Sequence, residues 1–272
     1  MPQLQFNDPI GPTDGSHTAT VIFLHGLGAA GPRWRDDMQR RLVQPNPSTL
    51  SHIRFVFPKA PKDTQGAEGV THGREAWHVF NDGKRYPFRK IEDGEHVHQA
   101  SMDAAVLAVD GVLREEVGKL RGKGAANRVV IVGFSQGGAA ALMAALTAGE
   151  VAVGGRTAGR DGWKVAGVGV IDSYIPVPAE FERRYSAHAH ARHTPILWRH
   201  NEGDTTINTP VGEQCTTKLA ELSRRYGGLA PIDFKIYPRE EKSQSQNHVP
   251  ENKQLDALFE DLAVWLPTGN VF

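Results

Sequence analysis

Short apolar runs rich in β-branched residues alternate along this chain with longer stretches of helical spacing. Residues 20–24, 53–57, 128–132, 165–171, 195–199 and 232–237 form the runs, and their composition predicts largely buried parallel strands. The patterns around 33–43, 95–120, 136–148, 211–226 and 251–265 predict helices. Regular alternation of the two predicts an α/β fold, a predominantly parallel sheet with helices on both faces.

Two segments interrupt this rhythm. Residues 58–94 make a connection too long for an idle turn, which predicts that it covers part of a binding surface. Residues 149–164, GEVAVGGRTAGRDGWK, are glycine-rich and polar and read as an exposed, mobile insertion. Neither an internal repeat nor a linker is evident. The expectation is therefore one domain over residues 1–272, with its core at about 20–266.

Composition narrows the function classes. Of 272 residues, 39% are hydrophobic, and 31 Lys and Arg balance 31 Asp and Glu. The absence of a basic stripe argues against nucleic acid as a partner and favours a small molecule or a protein. No window approaches the roughly 20 apolar residues of a membrane span, and the N-terminal stretch lacks the pattern of a signal peptide, so a cytoplasmic protein is expected. The lone cysteine, Cys215, lies in a helical pattern and reads as a packing residue.

The segment RVVIVGFSQGGAAALMAAL, residues 128–146, carries the candidate chemistry. A strand leads into a G-x-S-x-G turn and then a helix. Gly133 and Gly137 leave room for a reversal too tight for Cβ atoms, and Ser135 is forced into a strained backbone. A serine hydroxyl needs a base, a group to orient that base, and donors for an oxyanion. Ligands of open parallel sheets meet the carboxyl ends of the strands, so the residues just beyond each strand are the candidates.

His25–Gly31 after the first strand offers backbone N–H groups, and the oxyanion donors would be the amides of Leu27 and Gln136. After the fifth strand comes HNEGDTTI, in which Asp204 is preferred as the acid over Asp172 and Glu202. His248 lies beyond the last strand and precedes a helix, so Ser135, Asp204 and His248 occur in the serine, acid, histidine order of α/β-hydrolases. The spacings HAHARH (His188, His190, His193) and HVH (His96, His98) lack the accompanying residues of a zinc site and read as surface histidines. Gly26 and Gly28 lack the rest of a dinucleotide fingerprint. Neither a metal nor an organic cofactor is expected.

IFLHGLGAAGPRW, PKAP, VVIVGFSQGGAAAL, the HNEGD loop and the late His248 together resemble the acyl-protein thioesterase, or phospholipase/carboxylesterase, family of α/β-hydrolases. The resemblance spans about 20–266. It implies Ser135 as nucleophile, Asp204 and His248 as its partners, and Leu27 and Gln136 as oxyanion donors. It also implies hydrolysis of fatty-acyl thioesters or carboxylic esters through an acyl-enzyme, with an S-acylated protein or a lysophospholipid as candidate substrates. Trp77, Phe80, Ile175 and Pro176 are the expected lining of the acyl site. Several positions depart from the family pattern: Ala29 after HGLG, AWHVFND around Trp77, His200-Asn201 in the acid loop, and Asp172-Ser173-Tyr174 where the family has LSG. Two alternatives stand beside this reading. One is a general short-chain or aromatic carboxylesterase or lysophospholipase; the other is a catalytically silent hydrolase-fold binding protein.

Overall fold

A computed structural model describes residues 4–29, 31–64, 70–81, 86–120, 124–148, 152–153, 156–157, 164–228, 231–239 and 248–266. The apolar runs become β2 (Ala19–Leu24), β3 (Ile53–Lys59), β4 (Val129–Phe134), β7 (Gly167–Ile171), β8 (Ile196–Asn201) and β9 (Ile232–Tyr237), all mutually parallel. With β1 (Gln5–Ile10) they form a seven-stranded sheet in the order β1-β3-β2-β4-β7-β8-β9. Val21 faces Val130 across the β2–β4 ladder, and Ile131 faces Val168 across β4–β7.

Successive residues of these strands go to opposite faces, and each face has its own core. Ile22, Leu24, Ile131, Val168, Val170 and Trp198 join the core beneath α3 (Gln99–Lys119), α4 (Gln136–Thr147) and α6 (Thr209–Arg225). Val21, Phe23, Val130, Val132 and Leu197 join the other, beneath α1 (Arg33–Met38) and α7 (Asn252–Trp265). Because both faces are covered, β2 and β4 are buried along their whole length. Burial of each such Val, Leu or Ile contributes roughly 1.5–3 kcal/mol, so the central strands form the stable base from which the site projects.

Two elements escape the sequence pattern. β1 pairs antiparallel with β3 at the sheet edge, and of its residues only Ile10 is buried. Its polar sequence QFNDPI carries Pro9, a residue that edge strands tolerate because it need not donate to a second neighbour. α5 (Pro178–Ala187) is highly charged, and only Phe181, Arg184 and Tyr185 are buried. Arg184 is neutralised there by Asp103 at 2.6 Å and Glu180 at 2.5 Å. The predicted helix at 33–43 is shorter than expected: α1 passes into a single π-helical stretch at Gln39–Val43.

The remaining elements are the short α2 (Pro47–Leu50), the β5–β6 pair (Ala152–Val153 with Arg156–Thr157) and 3₁₀ turns at Ile91–His96, Ala125–Arg128 and Ala189–His193. That pair falls inside the predicted insertion, whose residues 149–151, 154–155 and 158–163 lie outside the described residues. No described helix is long and apolar enough to cross a membrane. Cys215 is buried in α6; its sulfur accepts the Ile175 N–H at 3.3 Å, and burial pushes its thiol up to about 12. His188 corrects the expectation of a surface histidine: it ends α5 and is buried beside Val109, Leu113 and Val165. His98 and His193 are exposed and His96 is half-buried.

Candidate active site

Ser135 stands between β4 and α4 with φ 54° and ψ −123°, a backbone conformation that L-residues avoid unless their surroundings impose it. The glycines on either side of it explain how the turn closes. A Cβ on Gly133 would lie 2.1 Å from the Gly137 carbonyl oxygen, and one on Gly137 would lie 2.1 Å from that of Leu24. The backbones of β2, β4 and α4 therefore meet where no side chain fits. The Ser135 N–H donates to the Ile171 carbonyl at 2.9 Å, and its own carbonyl accepts from Gly138, Ala139 and the Ser173 hydroxyl.

The structure brings Ser135, His248 and Asp204 together in one line. Ser135 Oγ is 2.6 Å from His248 Nε2, and His248 Nδ1 is 2.7 Å from Asp204 Oδ2. A carboxylate can only accept, so Nδ1 carries the hydrogen and Nε2 offers its lone pair to the serine hydroxyl. The second oxygen of Asp204 accepts the N–H groups of Thr206 at 2.8 Å and Ile207 at 3.0 Å, which fixes the carboxylate plane. Phe134 packs against the imidazole with ring centres 4.9 Å apart, and Trp34 backs Phe134 at 4.9 Å. Such an arrangement can move a proton from hydroxyl to imidazole and stabilise the resulting imidazolium.

The two rival acids lie elsewhere. Glu202 is exposed and accepts the Arg239 N–H at 3.0 Å. Asp172 is fully buried and turned to Asn201, whose backbone N–H donates to it at 2.6 Å and whose side-chain amide donates to its other oxygen. Asp172, His200 and Asp204 each offer one ligand atom within 4.8 Å of the others, the donor set of a metal site. Chain partners already occupy most of those atoms: Asp172 holds Asn201, Asp204 holds His248, and His200 Nε2 donates to the Ile207 carbonyl at 2.8 Å.

The loop after β2 is braced from the far side. Gly28 N–H donates to the Glu75 carbonyl at 2.8 Å, Arg74 to the Leu27 carbonyl at 3.2 Å, and the Trp77 indole N–H to the His25 carbonyl at 2.8 Å. His25 closes the brace by donating to the Gly26 carbonyl and accepting the Ala60 N–H at 3.0 Å. With both ring nitrogens engaged and the ring buried, its pKa is lowered by desolvation. The N–H groups of Leu27 and Gln136 bond no other described residue. The Gln136 N–H also lies at the N-terminus of α4, where the helix dipole favours negative charge.

Of the four residues expected to line an acyl site, three are buried: Trp77, Ile175 and Pro176, with the Trp77 indole and the Ile175 N–H both engaged by chain partners. Phe80 is part exposed and meets Tyr86 edge-on at 5.1 Å and Phe88 at 5.9 Å. Sequence reasoning missed Tyr86, which reaches the nucleophile. Desolvation pushes its phenol up to about 12, against the opposing pull of Tyr174, Gln136 and Ser135. Tyr86 and Tyr174 hydroxyls are 3.2 Å apart, and Tyr174 is 2.6 Å from His78 Nε2. His78 Nδ1 faces the Val79 carbonyl at 3.3 Å and must donate to it, so Nε2 accepts the Tyr174 proton. Tyr174 lies just past a strand end and was findable on that ground; Tyr86 sits in the long connection, where no pattern marks it.

Comparison with known proteins places the chain in a family. The family model described as Phospholipase/Carboxylesterase matches residues 8–251. The Neurospora crassa acyl-protein thioesterase 1 is 27% identical over 258 residues, covering 94% of this chain and 90% of that one. The Saccharomyces cerevisiae acyl-protein thioesterase 1 is 26% identical over 249 residues, covering 91% of each. Among solved structures, Zea mays acyl-protein thioesterase 2 superposes with a TM-score of 0.68 at 21% identity, over 95% of this chain and 98% of that one. Arabidopsis thaliana SOBER1 gives 0.64 at 24% identity, over 89% and 96%. These likenesses share the fold described above, and the chain belongs to the phospholipase/carboxylesterase family of α/β-hydrolases.

Proposed function

We propose that Ser135 is the nucleophile of a hydrolase that cleaves acyl thioesters and esters through an acyl-enzyme. The observation that carries this reading is the pair of consecutive hydrogen bonds, Ser135 Oγ to His248 Nε2 at 2.6 Å and His248 Nδ1 to Asp204 at 2.7 Å. His248 takes the serine proton as Oγ attacks the acyl carbonyl. The amides of Leu27 and Gln136 hold the oxyanion, at the positive end of α4. Imidazolium His248 then protonates the departing thiolate or alkoxide and afterwards activates the water that frees the acid, each transfer contributing roughly 10²–10⁴-fold.

The names of the relatives support S-acylated protein as substrate. The second reading within the class, short-chain or aromatic esters, draws on the edge-to-face packing of Phe80, an expected lining residue, against Tyr86 and Phe88. Intact-mass measurement after treatment with a fluorophosphonate tests the shared chemistry. One adduct on wild type, absent from Ser135→Ala and much slower on His248→Ala, is the expected result. Folded wild-type protein that takes up no adduct would return the chain to the binding-protein alternative.

A further inference from the structure

Three consecutive residues at the end of β7 touch both turns that carry the triad. Ile171 accepts the Ser135 N–H at 2.9 Å, and the Ser173 hydroxyl donates to the Ser135 carbonyl at 2.7 Å, so the nucleophile's peptide groups are held from either side. Between them, Asp172 points the opposite way. Its φ of 45° puts it in the left-handed region, which Asp tolerates better than most residues.

That side chain ends on Asn201, the last residue of β8 and the first of the turn that carries Asp204. The Asn201 backbone N–H donates to one Asp172 oxygen at 2.6 Å and its side-chain amide to the other. Asn201 in turn anchors the acid turn: its carbonyl accepts the Thr209 hydroxyl at 3.1 Å and, at the long limit of 3.4 Å, the Asp204 N–H.

We propose that Asp172 is a positioning residue for the reaction: its carboxyl ties the serine turn to the acid turn and so sets the gap that the His248 imidazole must span. The requirement is geometric. His248 bridges Ser135 and Asp204 by bonds of 2.6 and 2.7 Å, so a displacement of the acid turn lengthens or misaligns one of them and weakens the line along which the proton moves. Burying a carboxyl without solvent is costly, and desolvation together with the nearby Asp204 raises the Asp172 pKa well above the usual range, opposed by the two Asn201 donors. A tie between two turns gives that cost a structural return which an apolar side chain would not supply.

This inference rests on the proposed role of Ser135, and one set of proteins tests both. The second-order rate of fluorophosphonate labelling at Ser135, and kcat and KM for a p-nitrophenyl ester, would be measured for wild type, Asp172→Ala, Asp172→Asn and Asn201→Ala. Asp172→Ala is expected to slow labelling and kcat by roughly tenfold to a hundredfold with KM nearly unchanged. Asp172→Asn is expected to recover most of that loss, because the Asn201 amide can rotate to pair with the new amide. Asn201→Ala, which keeps the backbone bond, is expected to lose less than Asp172→Ala and to add nothing when combined with it. Should Asp172→Ala fail to fold, the Asn201→Ala kcat carries the test alone. An unlabelled wild type overturns the serine reading and this one with it. A labelled wild type matched by an equally reactive Asp172→Ala overturns the positioning role only, as does a loss that Asp172→Asn shares in full or one that falls on KM.

Discussion

The Ser173 hydroxyl donates to the Ser135 carbonyl at 2.7 Å, so the turn ending one strand braces the strained turn ending its neighbour. The bond is buried, with Ser173 fully inaccessible to solvent. Ser173→Ala is therefore expected to cost about 1 kcal/mol of stability, the net worth of an ordinary buried hydrogen bond. Urea denaturation measures this, and an unchanged midpoint would show that the Gly138 and Ala139 amides alone hold the Ser135 carbonyl.

Asp204 keeps its Oδ1 bonds to Thr206 and Ile207 whether or not it is charged. Asp204→Asn should thus preserve the turn while it removes the charge that orients His248. Turnover is expected to fall by on the order of 10⁴-fold with little change in melting temperature. Ester hydrolysis beside thermal denaturation separates the two effects.

Gly137→Ala would push a Cβ to 2.1 Å from the Leu24 carbonyl oxygen and 2.5 Å from that of His25. Backbone cannot move aside as a flexible side chain does, so the loss is expected to reach several kcal/mol. A variant that melts within a few degrees of wild type would refute the close approach.

The buried His78 has its pKa lowered to about 4 by desolvation. In the unfolded chain it titrates near 6.5, so between these values the unfolded state binds more protons and stability falls as pH drops. His25 and His200 are lowered in the same direction by burial. For His78 alone the loss from pH 7.5 to 5 is on the order of 2 kcal/mol. Unfolding curves at the two pH values for wild type and His78→Gln would show it as a smaller pH dependence in the variant.

Tyr86→Ala should open space beside Phe80, Phe88 and Tyr174, whereas Tyr86→Phe keeps the ring and removes only the hydroxyl. A shift of kcat/KM toward longer acyl chains is expected for the alanine variant and none for the phenylalanine one. An acyl-length series of p-nitrophenyl esters reads the difference, and identical profiles for all three proteins would exclude Tyr86 from the acyl side.

Legibility in the sequence depended on how local the cause was. The elbow around Ser135 could be read because Gly133 and Gly137 are needed within five residues of chain. Asp204 and His248 could be placed because strand ends of a parallel sheet converge, although nothing local distinguished Asp204 from Asp172. β1 could not be read: its residues are held by backbone pairing to β3 rather than by apolar side chains. Trp77, expected on an acyl wall for its apolar bulk, also fixes its indole N–H on His25, a partner 52 residues away that no local pattern marks. Tyr86 was invisible for the same reason, since only tertiary folding carries it to Tyr174.

His248 closely precedes α7, and that helix docks on the face of the sheet opposite α4 through Leu255, Leu258, Phe259 and Leu262. Its first turn is tied to the π-helical stretch by Arg41, which bonds Asn252 and Asp256. The serine is thus embedded in the middle of the sheet, while its base hangs from the last described helix. Local opening draws on the least secured units of a fold. An excursion that lifts α7 would leave a structured serine with nothing to take its proton, which ties the reactivity expected of Ser135 to the docking of a helix on the far face of the sheet.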